Sequence, residues 1–201
     1  MRFLKNRSIR FYLVFFLVFT MALGGSAIAA FADSGTGASV TVSKGSLNVA
    51  APATVAATST VTLSGDDQTT QYSMNLSVTD ATGSSAGWNL QISATQFSDG
   101  THTLPADAQY ITTLPTATCT SSVTDPTHCT APTNDVTYAG GSLTVTTAAQ
   151  PLFNATAGTG RGKFSIPTTV KVEIPANTVI GAGPSSTFSS TVTVAIASGP
   201  N

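Results

Sequence analysis

Hydrophobic and polar side chains alternate with a period of two along several short stretches of this 201-residue chain. The clearest stretch is Trp88–Phe97 (WNLQISATQF), whose first apolar positions are Trp88, Leu90, Ile92 and Ala94. Because successive side chains of a β-strand point to opposite faces, this alternation predicts a half-buried strand. Further β-rich segments are Val40–Val49, Thr60–Ser64, Tyr72–Thr79, Tyr110–Leu114, Ser142–Thr147, Lys163–Ile166, Thr169–Ile174 and Phe188–Ala197.

Turn-forming residues separate many of these segments, as at Gly65-Asp66-Asp67, Asp99-Gly100 and Gly140-Gly141. Many short strands with turn signals between them favour an all-β fold, and we predict one antiparallel β-sandwich domain. The predicted core comprises Met74, Leu76, Val78, Trp88, Leu90, Ile92, Val170, Val172, Ile174, Val192, Val194 and Ile196.

The first 32 residues have the pattern of a secretory signal peptide. Four basic residues precede the uncharged apolar run Phe11–Leu23, and Ala30-Phe31-Ala32 fits an A-x-A cleavage site. The apolar run is shorter than the roughly 20 residues of a membrane-spanning helix. We therefore predict a signal peptide at 1–32 and a secreted domain at 33–201 with no stable membrane anchor after cleavage. An uncleaved N-terminal anchor is the alternative.

Charged side chains are few in the predicted mature chain. From Asp33 onward there are four basic and nine acidic residues, which gives a formal charge of −5. A nucleic-acid-binding protein needs a broad patch of lysine and arginine, so the composition excludes that class. The abundance of Thr, Ser, Asn and Gln suits an exported protein.

The two cysteines, Cys119 and Cys129, lie close together in the sequence. In an exported chain, such a pair favours a disulfide that closes a surface loop. A metal or redox site is the alternative, but CxxC spacing and a histidine cluster are both absent.

Two glycine-rich segments imitate motifs that carry chemistry. Gly158–Lys163 (GTGRGK) lacks the first glycine and the final Ser or Thr of a phosphate-binding loop. Gly83–Gly87 (GSSAG) matches G-x-S-x-G, but a strand follows it where a nucleophile elbow requires a helix. We interpret both as turns. A hydrolase would need His102 or His128 beside a serine or aspartate. The sequence predicts no catalytic, metal or cofactor site.

Trp88 is the only tryptophan of the chain. A lone tryptophan at the start of a strand is either a core anchor or an exposed platform on which a sugar ring stacks. The alternation alone leaves both interpretations open.

Several segments in order resemble the WxL-domain proteins of Gram-positive cell surfaces, and Trp88-Asn89-Leu90 is itself a W-x-L motif. The resemblance assigns Trp88 and Leu90 as motif residues and extends from about Gly45 to Pro200. The matching segments are Gly45–Val49, Leu76–Asp80, Gly87–Leu90, Ala155–Gly162, Val170–Thr178 and Phe188–Pro200. It implies non-covalent attachment to the cell wall, with peptidoglycan as the ligand.

One departure from the family pattern concerns the last strand, where the family has a second W-x-L and this chain has Val194-Ala195-Ile196. If the second tryptophan contributes to wall binding, the chain binds weakly or not at all. If both tryptophans are core residues, the change is a repacking. The leading hypothesis is a secreted, non-enzymatic protein bound to the wall. The alternative is a structural or adhesin-type subunit that contacts other surface proteins.

Overall fold

A computed structural model describes residues 39–120 and 129–200. The chain divides into two units, Met1–Thr41 and Val42–Asn201, and every strand of the described residues lies in the second unit. The predicted signal peptide lies outside the described residues. Within the described ranges, no helix has both the length and the apolar character needed to cross a bilayer.

The second unit is an antiparallel β-sandwich, as the alternation predicts. In chain order its strands are β1 (Leu47–Ala50), β2 (Gln68–Asp80), β3 (Trp88–Ala94), β4 (Gln109–Ile111), β5 (Thr118–Cys119), β6 (Leu143–Thr144), β7 (Gln150–Ala155), β8 (Gly162–Ile174) and β9 (Val192–Ser198). One sheet has the order β1-β2-β8-β4-β6, with β5 also paired to β8, and the other has the order β7-β3-β9.

The larger sheet is centred on the antiparallel ladder of β2 and β8, which are paired over all 13 residues of each strand. The sequence indicated two separate strands for β8, because Pro167 interrupts its pattern. On the side of β8 away from β2, β5 pairs at Phe164 and Ser165 and β4 pairs at Lys171 and Val172. Pro167 lies between these two short pairings, and a residue without an N–H is tolerated where a ladder is interrupted.

The departures from the predicted strands involve both sheets. Strand β7 was missed because its pattern is not alternating: a bulge opposite Leu90 and Gln91 leaves Leu152 and Phe153 both fully buried. The two-residue β5 was also missed. The predicted strand Thr60–Ser64 is absent. The first predicted strand, Val40–Val49, is shorter than expected, because β1 begins only at Leu47.

Most of the predicted core is confirmed, but four of its members are only half-buried. Eight predicted core residues are at most 4% exposed: Met74, Leu76, Val78, Trp88, Leu90, Ile92, Val170 and Val172. The exceptions are Ile174, Val192, Val194 and Ile196. The last three lie on β9, which pairs only with β3 and is therefore an edge strand of the smaller sheet.

Buried polar groups connect the two sheets. The Tyr72 hydroxyl donates to Gln109 Oε1 at 3.0 Å, and Gln109 Nε2 donates to the carbonyl oxygen of Thr95, directly after β3, at 2.8 Å. Burial raises the pKa of Tyr72 well above its ordinary value. Since an unpaired buried amide costs about 1–3 kcal/mol, this network favours the observed alignment of the sheets over others.

Candidate functional site

Trp88 begins β3 and is completely buried. Its indole ring stacks on Phe153 of β7 at a centroid distance of 5.2 Å and lies 6.2 Å from the ring of Phe164 of β8. The indole Nε1–H donates a 2.7 Å hydrogen bond to the carbonyl oxygen of Gly160. The one polar group of the ring is thus satisfied inside the protein, which is the usual condition for burying a tryptophan.

Gly160 leaves space for the tryptophan ring, and Gly87 leaves space for the backbone at the end of β7. A Cβ on Gly160 would stand 2.5 Å from Trp88 Nε1 and 3.0 Å from Ala155 Cβ. A Cβ on Gly87 would collide with the carbonyl oxygen of Ala155. The φ angles of these glycines are +75° and +74°, a region that residues with a Cβ disfavour. Both positions therefore require glycine for two independent reasons.

The two glycine-rich segments that imitate catalytic motifs meet beside this tryptophan. The amide of Gly158 donates to the carbonyl oxygen of Ser85 at 2.8 Å, and Arg161 Nη1 donates to Ser85 Oγ at 3.4 Å. Neither segment opens a helix. The segment at Gly158 contains a turn, as predicted, closed by the bond from the Thr159 amide to the carbonyl oxygen of Thr156. The prediction of a hairpin turn at Gly83–Gly87 is wrong, because this segment is a loop that leads from β2 in one sheet to β3 in the other.

The burial of Trp88 decides between its two interpretations. A platform for a sugar ring must expose one face of the indole, whereas this ring has no exposed surface. The core interpretation is confirmed. Leu90 is also fully buried, so both motif side chains act on the inside of the protein.

The triplet Val194-Ala195-Ile196 lies beside the W-x-L motif on the neighbouring strand. Val194 is the register partner of Ile92, and Ile196 is the register partner of Leu90. Both are half-buried and pack against the core, while Ala195 is exposed. Position 194 is therefore on the core side of β9, at the edge of the smaller sheet.

Asn89, the middle residue of the motif, is buried as well, at 6% exposure. The alternation predicts it on the polar face of the strand. Its Nδ2 donates to the carbonyl oxygen of Gly199 at 2.8 Å, and the Gly199 amide donates to the carbonyl oxygen of Gly87 at 2.9 Å. These bonds fasten the chain that follows β9 to the start of β3.

Charged residues are segregated from the smaller sheet. Strands β3, β7 and β9 contain no Asp, Glu, Lys or Arg, whereas β2 and β8 contain Asp80, Lys163, Lys171 and Glu173. The segment 136–160 has no charged residue either. These strands and this segment therefore offer only uncharged side chains and backbone groups to a ligand.

A shallow groove of about 340 Å³ opens in this uncharged region. Its polar lining residues are Thr137, Ser142, Thr144, Thr146 and Gln150. Its apolar lining residues are Tyr138, Ala139, Leu143 and Pro151. Leu143 and Thr144 belong to β6 of the larger sheet, and Gln150 and Pro151 belong to β7 of the smaller one, so the groove lies where the two sheets adjoin. Its volume is at the small end of the range for ligand sites, about 300–1,000 Å³.

The predicted disulfide between Cys119 and Cys129 is present. Cys119 is the register partner of Phe164, the residue that packs against Trp88. The bridge therefore lies beside β8, next to the buried aromatic cluster. His128 and most of the loop interior lie outside the described residues.

His102 is beside an aspartate, the arrangement that a hydrolase would need. His102 Nδ1 lies 3.3 Å from Asp99 Oδ2, and the backbone amides of His102 and Thr101 donate to Asp99 Oδ1 at 2.7 and 2.9 Å. These bonds hold the pKa of Asp99 well below its ordinary value, and the bond from the His102 amide contributes most. A hydrogen bond with the Ser186 hydroxyl lowers the pKa further.

Among residues 39–120 and 129–200, the serines nearest this pair make other hydrogen bonds. Ser186 bonds to the aspartate, and the Ser98 hydroxyl donates to the backbone carbonyl oxygen of His102. No serine hydroxyl bonds to the His102 ring in the described ranges, so this cluster is a stabilised turn. Those ranges also contain no group of three potential metal ligands.

Fold and site together define a β-sandwich surface domain whose tryptophan motif forms part of its core. The sequence matches the family model described as WxL domain surface cell wall-binding over residues 35–198, and the chain belongs to this family. The resemblance inferred from the motifs is confirmed. Neither the curated proteins nor the solved structures contain a match. Membership makes this a surface protein of the cell-wall-binding type.

Proposed function

We propose that residues 33–201 form a secreted, non-enzymatic protein that binds peptidoglycan in the cell wall non-covalently. The observation that carries the proposal is the family match over residues 35–198, which spans nearly all of the predicted mature chain. The uncharged smaller sheet supports it, because a surface of hydroxyls and amides suits a polysaccharide. The turn role of Asp99 and His102 gives no support to a hydrolase.

The burial of Trp88 bears on whether binding survives without the second tryptophan. The first motif contributes its tryptophan to the core, and position 194 also faces the core. A tryptophan at 194 would therefore enlarge the packed interior at the edge of the smaller sheet. We infer that valine there is a repacking and that wall binding persists.

Co-sedimentation with purified peptidoglycan sacculi tests the proposal directly. The mature chain should appear in the pellet with intact sacculi and stay in the supernatant after the sacculi are digested with a muramidase. A chain that remains soluble beside intact sacculi would refute wall binding. A covalent linkage is tested by extraction with denaturant, which should release the bound protein.

A second candidate function is that of a subunit in a surface assembly. Val40 and Val42, two residues apart in a segment outside the named strands, are 87% and 86% exposed. Exposed β-prone segments can add to the sheet edge of another chain. Size-exclusion chromatography and electron microscopy discriminate between the two functions, because a strict monomer at high concentration contradicts self-assembly.

A further inference from the structure

The groove between β6 and β7 has a rigid frame. The amide of Val145 donates to the carbonyl oxygen of Gln109 in β4 at 2.8 Å. The amide of Ala94 in β3 donates to the carbonyl oxygen of Thr146 at 2.7 Å. One rim is thereby attached to both sheets. At the other rim, the Gly141 amide donates to the carbonyl oxygen of Tyr138 across a short 3₁₀ turn, Ala139–Gly141. A frame fixed in this way is formed before any ligand arrives, which reduces the entropic cost of binding.

The polar side chains of this groove have unused hydrogen-bonding capacity. The hydroxyls of Thr137, Ser142 and Thr144 and the amide of Gln150 make no hydrogen bond within the described part of the chain. The Thr146 hydroxyl differs, since it exchanges bonds with the backbone of Ala148. Four side chains can therefore donate to or accept from a ligand without breaking an internal bond.

The groove is electrically neutral. None of its lining residues is charged, and burial raises the pKa of Tyr138, its only titratable group, to about 12. A polyanionic wall polymer would require lysine or arginine, and a cationic ligand would require carboxylates. Hydroxyls and an amide together with the apolar lining residues Tyr138, Leu143 and Pro151 instead complement a neutral sugar, which has polar edges and apolar faces.

We propose that this groove holds the uncharged, N-acetylated glycan strand of the wall polymer. The inference rests on the proposed function, and it places the contact away from the W-x-L motif. The motif side chains stabilise the sheet from inside, while the groove side chains touch the sugar. Gln91 of the motif strand is the register partner of Pro151, so the strand that carries the motif lies directly beside the groove.

Two matched substitutions test the placement. Thr144→Glu introduces bulk and a negative charge at an exposed strand position within the groove. Thr193→Glu makes the same change at an exposed position of β9, which lies outside the groove. Affinity for purified sacculi and for soluble N-acetylglucosamine oligomers should fall at least tenfold for Thr144→Glu and less than twofold for Thr193→Glu.

The outcomes separate the two proposals. If the unmodified chain does not sediment with sacculi, the proposed function fails and the groove inference fails with it. If that chain sediments but both variants bind equally well, the groove is not the site while wall binding stands. Binding that weakens severalfold between about 0.05 and 0.5 M salt would indicate charged contacts and overturn the neutral groove.

A milder variant covers the case in which Thr144→Glu unfolds the protein, as judged from its melting temperature. Gln150→Ala removes an amide that has no partner within the described ranges, so it should leave stability nearly unchanged. Loss of one or two ligand hydrogen bonds should weaken oligomer binding about fivefold or more. Unchanged affinity in a folded Gln150→Ala variant would count against the groove.

Discussion

The contact between Gly160 and Trp88 offers a direct test of how the motif is built. Replacing Gly160 by alanine places a methyl group 2.5 Å from the indole Nε1 and forces alanine to a φ of +75°. The backbone conformation costs about 1–2 kcal/mol. Moving the buried ring to relieve the collision adds about 1–3 kcal/mol of overpacking. The expected loss in the free energy of unfolding is therefore about 2–5 kcal/mol.

Gly158→Ala is the matched control for this substitution. Gly158 has a φ of +89°, but a Cβ there would meet nothing within 4 Å. Only the backbone cost of about 1–2 kcal/mol applies. The difference between the two variants isolates the collision with Trp88, and it should be about 1–3 kcal/mol.

Urea unfolding followed by circular dichroism and by fluorescence measures this difference. Trp88 is the only tryptophan, so its emission reports on the site itself. For a domain of this size, each kcal/mol corresponds to about 2–4 °C in melting temperature, and Gly160→Ala should melt at least about 2 °C below Gly158→Ala. Equal stability of the two variants would refute the close packing of Gly160 against the indole.

Three further perturbations address the motif, the disulfide and the acidic turn. Trp88→Phe should lower the free energy of unfolding by about 2–4 kcal/mol, because it removes a hydrogen bond and leaves a space unfilled. The folded variant should still sediment with sacculi, and lost binding in a fully stable variant would contradict the core role. Reduction of Cys119–Cys129 should cost about 2–3 kcal/mol on the chain-entropy account, measured as a shift in melting temperature with and without reductant, and no shift would show that the bridge leaves stability unaffected. The pKa of Asp99 is lowered in the folded state, so its contribution is present above its unfolded pKa of 3.8 and is lost as pH falls below that value. Stability measured between neutral pH and pH 3 should therefore fall more in the unmodified chain than in Asp99→Asn, and equal slopes would contradict the bonds seen in the turn.

Strand prediction succeeded where one face of a strand is buried and the other is solvated. In β2 the alternation of Met74, Leu76 and Val78 with polar residues is reproduced by their burial. It failed at β7, where a bulge buries consecutive side chains, and at β5, whose two residues are too few to show a period. A period is visible in the sequence only when the ladder is regular.

Of the two features of the candidate site, the sequence revealed the tryptophan motif but not the groove. The tryptophan motif was visible because a lone indole at the start of an alternating strand is rare, whereas the groove had no local signal. Thr144 and Gln150 come from different sheets, and ordinary polar residues acquire a common role only when the fold brings them together.

By itself, the sequence determined the β-class, the disulfide partners and the position of Trp88 at the start of a strand, because each depends on residue types at short separations. It also determined the family, because the order of short motifs along the chain is visible without the fold. Only the tertiary structure decided that the indole is buried, that Gly160 receives its hydrogen bond, and that β9 is an edge strand whose core side is half-exposed. Burial and sheet order depend on which segments pair across the whole chain. The alternation of a single strand specifies that it has an inner face, but not how deeply its neighbours cover it.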